Sequence, residues 1–274
     1  MYEVFKIFTI EYIISLIIIG ILAGFLSGLL GIGGGFLFVP FQYFLLQSAG
    51  IDDSIAILIA FGTSLAIIVP TAFTGAYRHS KNTEGIIKPG AKFGIFGILG
   101  GFIGGLAASM AEYVVLEKAF GIFLLIIAIY DLITLNKSFN FNFKLNNYLT
   151  IIIGLIIGFL SGLLGIGGGI FLIVILNLLL GYSMKKSIGI SSIFICFTAI
   201  GGMASYILTG LDVNILPYSI GYINLIHLFV ICLFSIPFAY MGAKISDKVD
   251  DKKLKLVFLI AILYISLKMI GILP

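Results

Sequence analysis

The chain has 274 residues, of which 61% are hydrophobic and only 10% charged, with a formal net charge of +4. Soluble domains carry about a quarter charged residues, and so few charges cannot cover this much apolar surface. A water-soluble domain is excluded, and the sequence is that of an integral membrane protein.

From the N-terminus, Glu3, Lys6 and Glu11 interrupt the first residues and no small-residue cleavage site follows, so no signal peptide is expected. Five hydrophobic segments follow, roughly 10–30, 36–48, 54–77, 93–110 and 118–135. The longer ones can cross a bilayer as helices at about 1.5 Å per residue. The second is too short to cross perpendicular to the membrane. A polar stretch, 136–147, contains SFNFNFKLNN, and then the pattern recurs at 148–165, 170–181, 188–209, 222–243 and 256–273. The segment GFLSGLLGIGGG occupies residues 24–35 and again 158–169. This internal repetition marks a duplicated membrane transporter. The expected fold is therefore all-α and polytopic, with two repeats of about five segments, residues 1–135 and 148–274, joined by a cytoplasmic linker at 136–147.

Charge placement sets the topology. If the first two segments of each half form a hairpin, every basic residue except Lys6, Lys118 and Lys268 falls on one face. Basic loops stay in the cytoplasm, which puts both termini outside. Each half then makes an odd number of passes, so the repeats are expected to be inverted. The expected location is the cell membrane.

The glycine runs carry the functional reading. Gly31, Gly33, Gly34 and Gly35, with Gly165, Gly167, Gly168 and Gly169, cannot form ordinary helix, since each glycine costs about 1 kcal/mol there relative to alanine. The expectation is a helix ending near Leu30 or Leu164, a bare-backbone turn, and a half-helix starting near Phe36 or Ile170. Exposed backbone at membrane depth is tolerated where it lines a cavity or is buried in protein. A helix N-terminus favours an anion. Two such turns entering from opposite faces would meet near the midplane and hold one small anion. By contrast, Gly24/Gly28, Gly158/Gly162 and Gly97/Gly101/Gly105 form the spacing that packs transmembrane helices. Neither run has a dinucleotide-binding spacing, and no phosphate-binding loop occurs.

Among polar residues, Thr63 and Ser64 in the third segment and Ser191 and Ser192 in the eighth are candidate oxyanion donors. Ser27 and Ser161 form a matching pair, and Gln42 and Asn177 are weaker candidates. Helix serines can instead bond back to a carbonyl. Ionisable residues within spans are few, only Asp131 and His227, and both fit positions near an interface. Arg78 and His79 fit headgroup anchoring, Pro70 and Pro237 interrupt spans, and Cys196 and Cys232 read as small core residues rather than a disulfide.

The doubled G-x-x-x-G-x-x-G-x-G-G-G motif, Thr63-Ser64-Leu65 after the first copy, and Gly100, Gly101 and Gly104 resemble the sulfite exporter TauE/SafE family. The resemblance covers nearly the whole chain. It implies a membrane permease for sulfite, sulfonates or related sulfur-containing anions. The first copy is followed by Pro40, whereas the second has Val174 there.

The function expected is a secondary transporter or facilitator of small anions, not an enzyme, with no cofactor and no metal. Its partners are a small anionic substrate and the lipid bilayer, without nucleic acid; homo-oligomerisation stays open. The alternatives are an intramembrane thiol-dependent sulfur carrier or enzyme using Cys196 or Cys232, and a non-transporting membrane subunit.

Overall fold

The computed structural model describes residues 9–30, 34–134, 146–212, 216–245 and 251–273. These form helices α1 (Ile10–Leu30), α2 (Gly35–Ser48), α3 (Asp53–Asn82), α4 (Ile87–Met110) and α5 (Tyr113–Thr134). After the linker come α6 (Asn147–Leu164), α7 (Gly169–Val174) with a π-helical turn at Ile175–Leu179, α8 (Met184–Thr209), α9 (Leu225–Ile245) and α10 (Asp251–Ile270). A two-stranded hairpin, β1 (Ser219–Ile220) and β2 (Ile223–Asn224), precedes α9. Among the described residues, seven helices are long and apolar enough to cross a membrane: α1, α3, α4, α5, α6, α8 and α9. The protein is thus all-α and polytopic. Lys6 and most of the linker, including Lys137 and Lys144, lie outside the described residues.

Helix ends extend beyond the hydrophobic segments wherever polar residues can continue the coil. α3 runs on through Arg78 and His79 to Asn82, and α4 begins at Ile87, so the loop expected at 78–92 shrinks to 83–86. Asp52 caps α3 by accepting from the Ser54 backbone N–H at 3.0 Å, and the Ser54 hydroxyl donates to the same carboxylate. These bonds, the hydroxyl foremost, hold the Asp52 carboxyl below its ordinary range. Asn146 caps α6 by accepting from Leu149 N–H at 2.8 Å.

Packing exchanges partners between the two parts of the chain. α4 lies along α6, α9 along α1, α3 pairs with α8 and α5 with α10. Small residues make these approaches possible. A Cβ at Gly24 would lie 2.5 Å from Ser235 Cα, one at Gly158 would lie 2.5 Å from the Gly97 carbonyl, and those at Gly28 and Gly162 would collide with the Ala239 and Gly101 carbonyls. The expected packing role of these glycines is therefore observed. Large apolar side chains point outward instead, among them Ile14, Ile18 and Leu22 on α1 and Ile95, Leu99 and Ile103 on α4. A surface of that kind suits lipid.

The two short helices differ. α2 is regular α-helix through Pro40, while α7 gives way after Val174 to the π turn, in which Leu180 N–H reaches the Ile175 carbonyl at 3.3 Å. Asn177 closes this turn by donating to the Tyr182 carbonyl at 2.9 Å.

Candidate functional site

The glycine runs break the helices where the sequence places the breaks. α1 stops at Leu30 and α2 is capped by Gly34 with φ of 71°. α6 ends on Gly165 at φ 67°, and α7 is capped by Gly168 at φ 75°, with Gly167 between them at φ 87°. Such left-handed backbone costs a side chain roughly 1–2 kcal/mol, which explains the choice of glycine. Gly31 and Gly33 lie outside the described residues.

The two breaks touch. A Cβ on Gly35 would sit 2.5 to 2.7 Å from the backbone of Ile166, so the start of α2 lies directly on the second break. Gly165 lies equally close to Phe61 of α3, while Gly167 and Gly169 face Ile195 of α8. Gly34 and Gly35 are buried, as are Gly165, Gly167, Gly168 and Gly169.

The candidate hydroxyls divide into four groups. Ser191 donates to the Gly169 carbonyl at 3.0 Å, and Thr198, which the sequence reading passed over, donates to the Gly167 carbonyl at 2.9 Å. These two hold the second break in shape. Thr63 clamps the hairpin instead, accepting from Asn224 N–H at 3.0 Å and donating to the Tyr222 carbonyl at 3.4 Å. Ser64 accepts from the Gln42 amide at 3.1 Å. Ser192 bonds back to the Ile188 carbonyl at 2.9 Å and, with Ser27, lines a cavity.

That cavity, about 10 Å³, lies between α1, α3 and α8 and is lined by Ser27, Thr71, Gly75, His79, Ser192 and Ile195, with Gly28 and Ala72. Its size suits a single water. Gly75 opens onto it, since a Cβ there would meet nothing within 4 Å. His79, read from sequence as a headgroup anchor, lines the cavity, and the neighbouring Arg78 guanidinium lies 6.0 Å over the Tyr240 ring.

A second polar cluster joins α1, α2, α3 and α9. His227, expected from sequence near an interface, is fully buried and bonded on one side to Tyr12 and on the other to Gln42. Its backbone N–H donates to Asn224 Oδ1 at 3.0 Å. The Asp131 side chain lies outside the described residues. Cys196 Sγ donates to the Ser192 carbonyl at 3.3 Å, and both cysteines are half-buried free thiols.

The model of the sulfite exporter TauE/SafE family matches residues 16–269. The chain is 34% identical over 247 residues to a probable membrane transporter protein of Methanocaldococcus jannaschii, spanning 88% of this chain and 89% of that one. It is 32% identical over 265 residues to a probable membrane transporter protein of Haemophilus influenzae, spanning 94% and 98%. A third relative, the probable membrane transporter protein YunE of Bacillus subtilis, is 24% identical over 276 residues, spanning 94% and 95%. No solved structure matches the chain.

Proposed function

Because the chain belongs to the sulfite exporter TauE/SafE family and is a multi-pass membrane transporter, we propose that it carries a small sulfur-containing oxyanion as a secondary transporter or facilitator. The anion is held where the two glycine breaks meet, beside the cavity lined by Ser27 and Ser192. One observation carries this reading: Gly35, at the start of one half-helix, lies against the Ile166 backbone in the break that leads into the other, and neither half-helix start has a side-chain cap. Each N-terminus contributes about 0.3–2 kcal/mol to an anion, most when partly buried. Hydroxyls can add hydrogen bonds without the cost of burying a countercharge.

The repeats, divided at the linker, are inverted with both termini outside the cell membrane, and transport proceeds by rocking one against the other. The exchange of helix partners between the halves supports this arrangement. The thiol-dependent alternative needs a base beside a cysteine, but the His227 ring is bonded to Tyr12 and Gln42 and the Cys196 thiol to the Ser192 carbonyl.

Flux of sulfite, sulfate, thiosulfate and sulfoacetate into proteoliposomes tests the proposal. Gly34→Leu and Gly168→Leu are expected to abolish flux while the protein still inserts. Normal flux in both variants would reject the breaks as the site, and no flux of any of the four anions through the wild type would reject the substrate class.

A further inference from the structure

His227 lies near the start of α9, fully buried, where side chains from α1, α2 and the hairpin converge. Its Nε2 is 2.7 Å from the Tyr12 hydroxyl, and its Nδ1 is 3.1 Å from Gln42 Oε1. The orientation of the Gln42 amide fixes the proton. Gln42 Nε2 donates to the Phe38 carbonyl and to Ser64 Oγ, each at 3.1 Å. A carbonyl only accepts, so the amide nitrogen faces Phe38 and the amide oxygen faces the ring. Oε1 also only accepts, so Nδ1 carries the hydrogen. The Tyr12 hydroxyl can either donate or accept, so the site fits Nε2 with its lone pair free and Nε2 with a second proton, and the neutral and charged rings share one set of partners.

We propose that His227 is the proton carrier of this transporter, taking up one proton per cycle at Nε2 and so balancing the charge of the anion. The proposal rests on the anion-carrier reading above. In the step, a hydronium ion gives its proton to the Nε2 lone pair, its O–H bond breaking to leave water as the N–H bond forms, and the Tyr12 hydroxyl turns so that its oxygen accepts the new N–H. The Nδ1–H bond to Gln42 stays, no other bond changes, and release to water reverses the step. The ring gains one positive charge.

Three features set this histidine apart from a structural bridge. A bridge needs one donor and one acceptor, which a plain amide supplies without an ionisable group; an ionisable residue inside a spanning segment that faces the bundle interior is by default a functional candidate. No fixed countercharge is bonded to the ring among the described residues. Tyr12 is the titratable group it touches; Glu11 on α1 is exposed and Asp53 on α3 accepts from Gln47 at 2.7 Å. Tyr43 on α2 and Tyr222 in the hairpin are not bonded to it, and Arg78, His79 and Lys81 on α3 and Lys244 on α9 belong to the far ends of those helices. The charge on the ring is thus offset across the carrier by that of the anion held at the glycine breaks, and not by a contact with it. Finally, Gln42 ties the ring to the Phe38 carbonyl, and Phe38 N–H donates to the Gly34 carbonyl at 3.0 Å. Gln42, which bonds the ring, and the first glycine break therefore sit on one short helix, so a charge on the ring reaches α2 through the Gln42 amide.

The test uses proteoliposomes containing a trapped pH-sensitive dye. Sulfate and thiosulfate are the proton probes, since neither takes up a proton near neutral pH; for sulfite, which does, wild type and variant are compared at equal anion flux. Wild-type anion movement should shift the internal pH. His227→Gln should keep anion exchange but lose the coupled shift. Tyr12→Phe should keep exchange and move the pH profile of flux to the acid side, because the charged ring loses an acceptor. Wild-type anion flux without proton movement, or a wild-type pH shift in His227→Gln, would overturn the proposal while leaving the carrier reading intact. A wild type that moves none of the four anions would end both. If His227→Gln does not fold, an unchanged pH profile in Tyr12→Phe overturns it.

Discussion

Replacing Gly75 with alanine should raise stability and lower transport together. Gly75 lies inside the 30-residue helix α3 and is buried, yet a methyl group there would meet no atom within 4 Å. Helix propensity alone favours alanine by about 1 kcal/mol, worth roughly 2–4 °C in melting temperature for a chain of this order of size. The new methyl projects into a cavity of about 10 Å³ shared with Ser27, Thr71, His79 and Ser192. There it excludes the water or anion oxygen that those groups would bond. Losing one charge-assisted hydrogen bond costs about 1.5–3 kcal/mol, or about ten- to a hundred-fold in flux at low substrate. Melting of the purified protein in detergent and initial flux in proteoliposomes measure the two effects. A raised melting temperature with unchanged flux would show that the cavity lies off the transport route. A lowered melting temperature would mean that the open space beside Gly75 does not exist.

Thr63→Val should lower stability by about 1–3 kcal/mol, because Asn224 N–H loses its buried acceptor; Thr63→Ser should restore it, and an unchanged melting temperature in the valine variant would refute the clamp. Serine at both Cys196 and Cys232 should leave flux intact, and its loss in a correctly folded double variant would bring thiol chemistry back into consideration.

The breaks were legible because bare backbone has few uses inside a bilayer. A run such as 31–35 cannot continue a helix, and the observed caps at Gly34 and Gly168 follow from that. The packing role of Gly24, Gly28, Gly158 and Gly162 was legible for a related reason, since spacing alone puts them on one helix face. Helix ends were less so, as hydropathy marks the apolar core of a helix and misses polar extensions such as 78–82. The tasks of single hydroxyls could not be read. Thr63 and Ser191 look alike in sequence, yet one clamps a hairpin and the other a glycine break. The cluster of Tyr12, Gln42 and His227 was invisible because its members come from three helices far apart in the chain. Each alone looks like an isolated polar residue in an apolar segment.

The pairing of α1 with α9 bears on how the protein is made. Gly20, Gly24 and Gly28 leave the ribosome well before the backbone they press against, which belongs to residues 231–239. Until α9 is inserted, that glycine stripe has only lipid or the insertion machinery for company. Assembly is therefore committed late, and a chain interrupted before α9 leaves α1 with its groove unfilled, a natural recognition mark for membrane quality control.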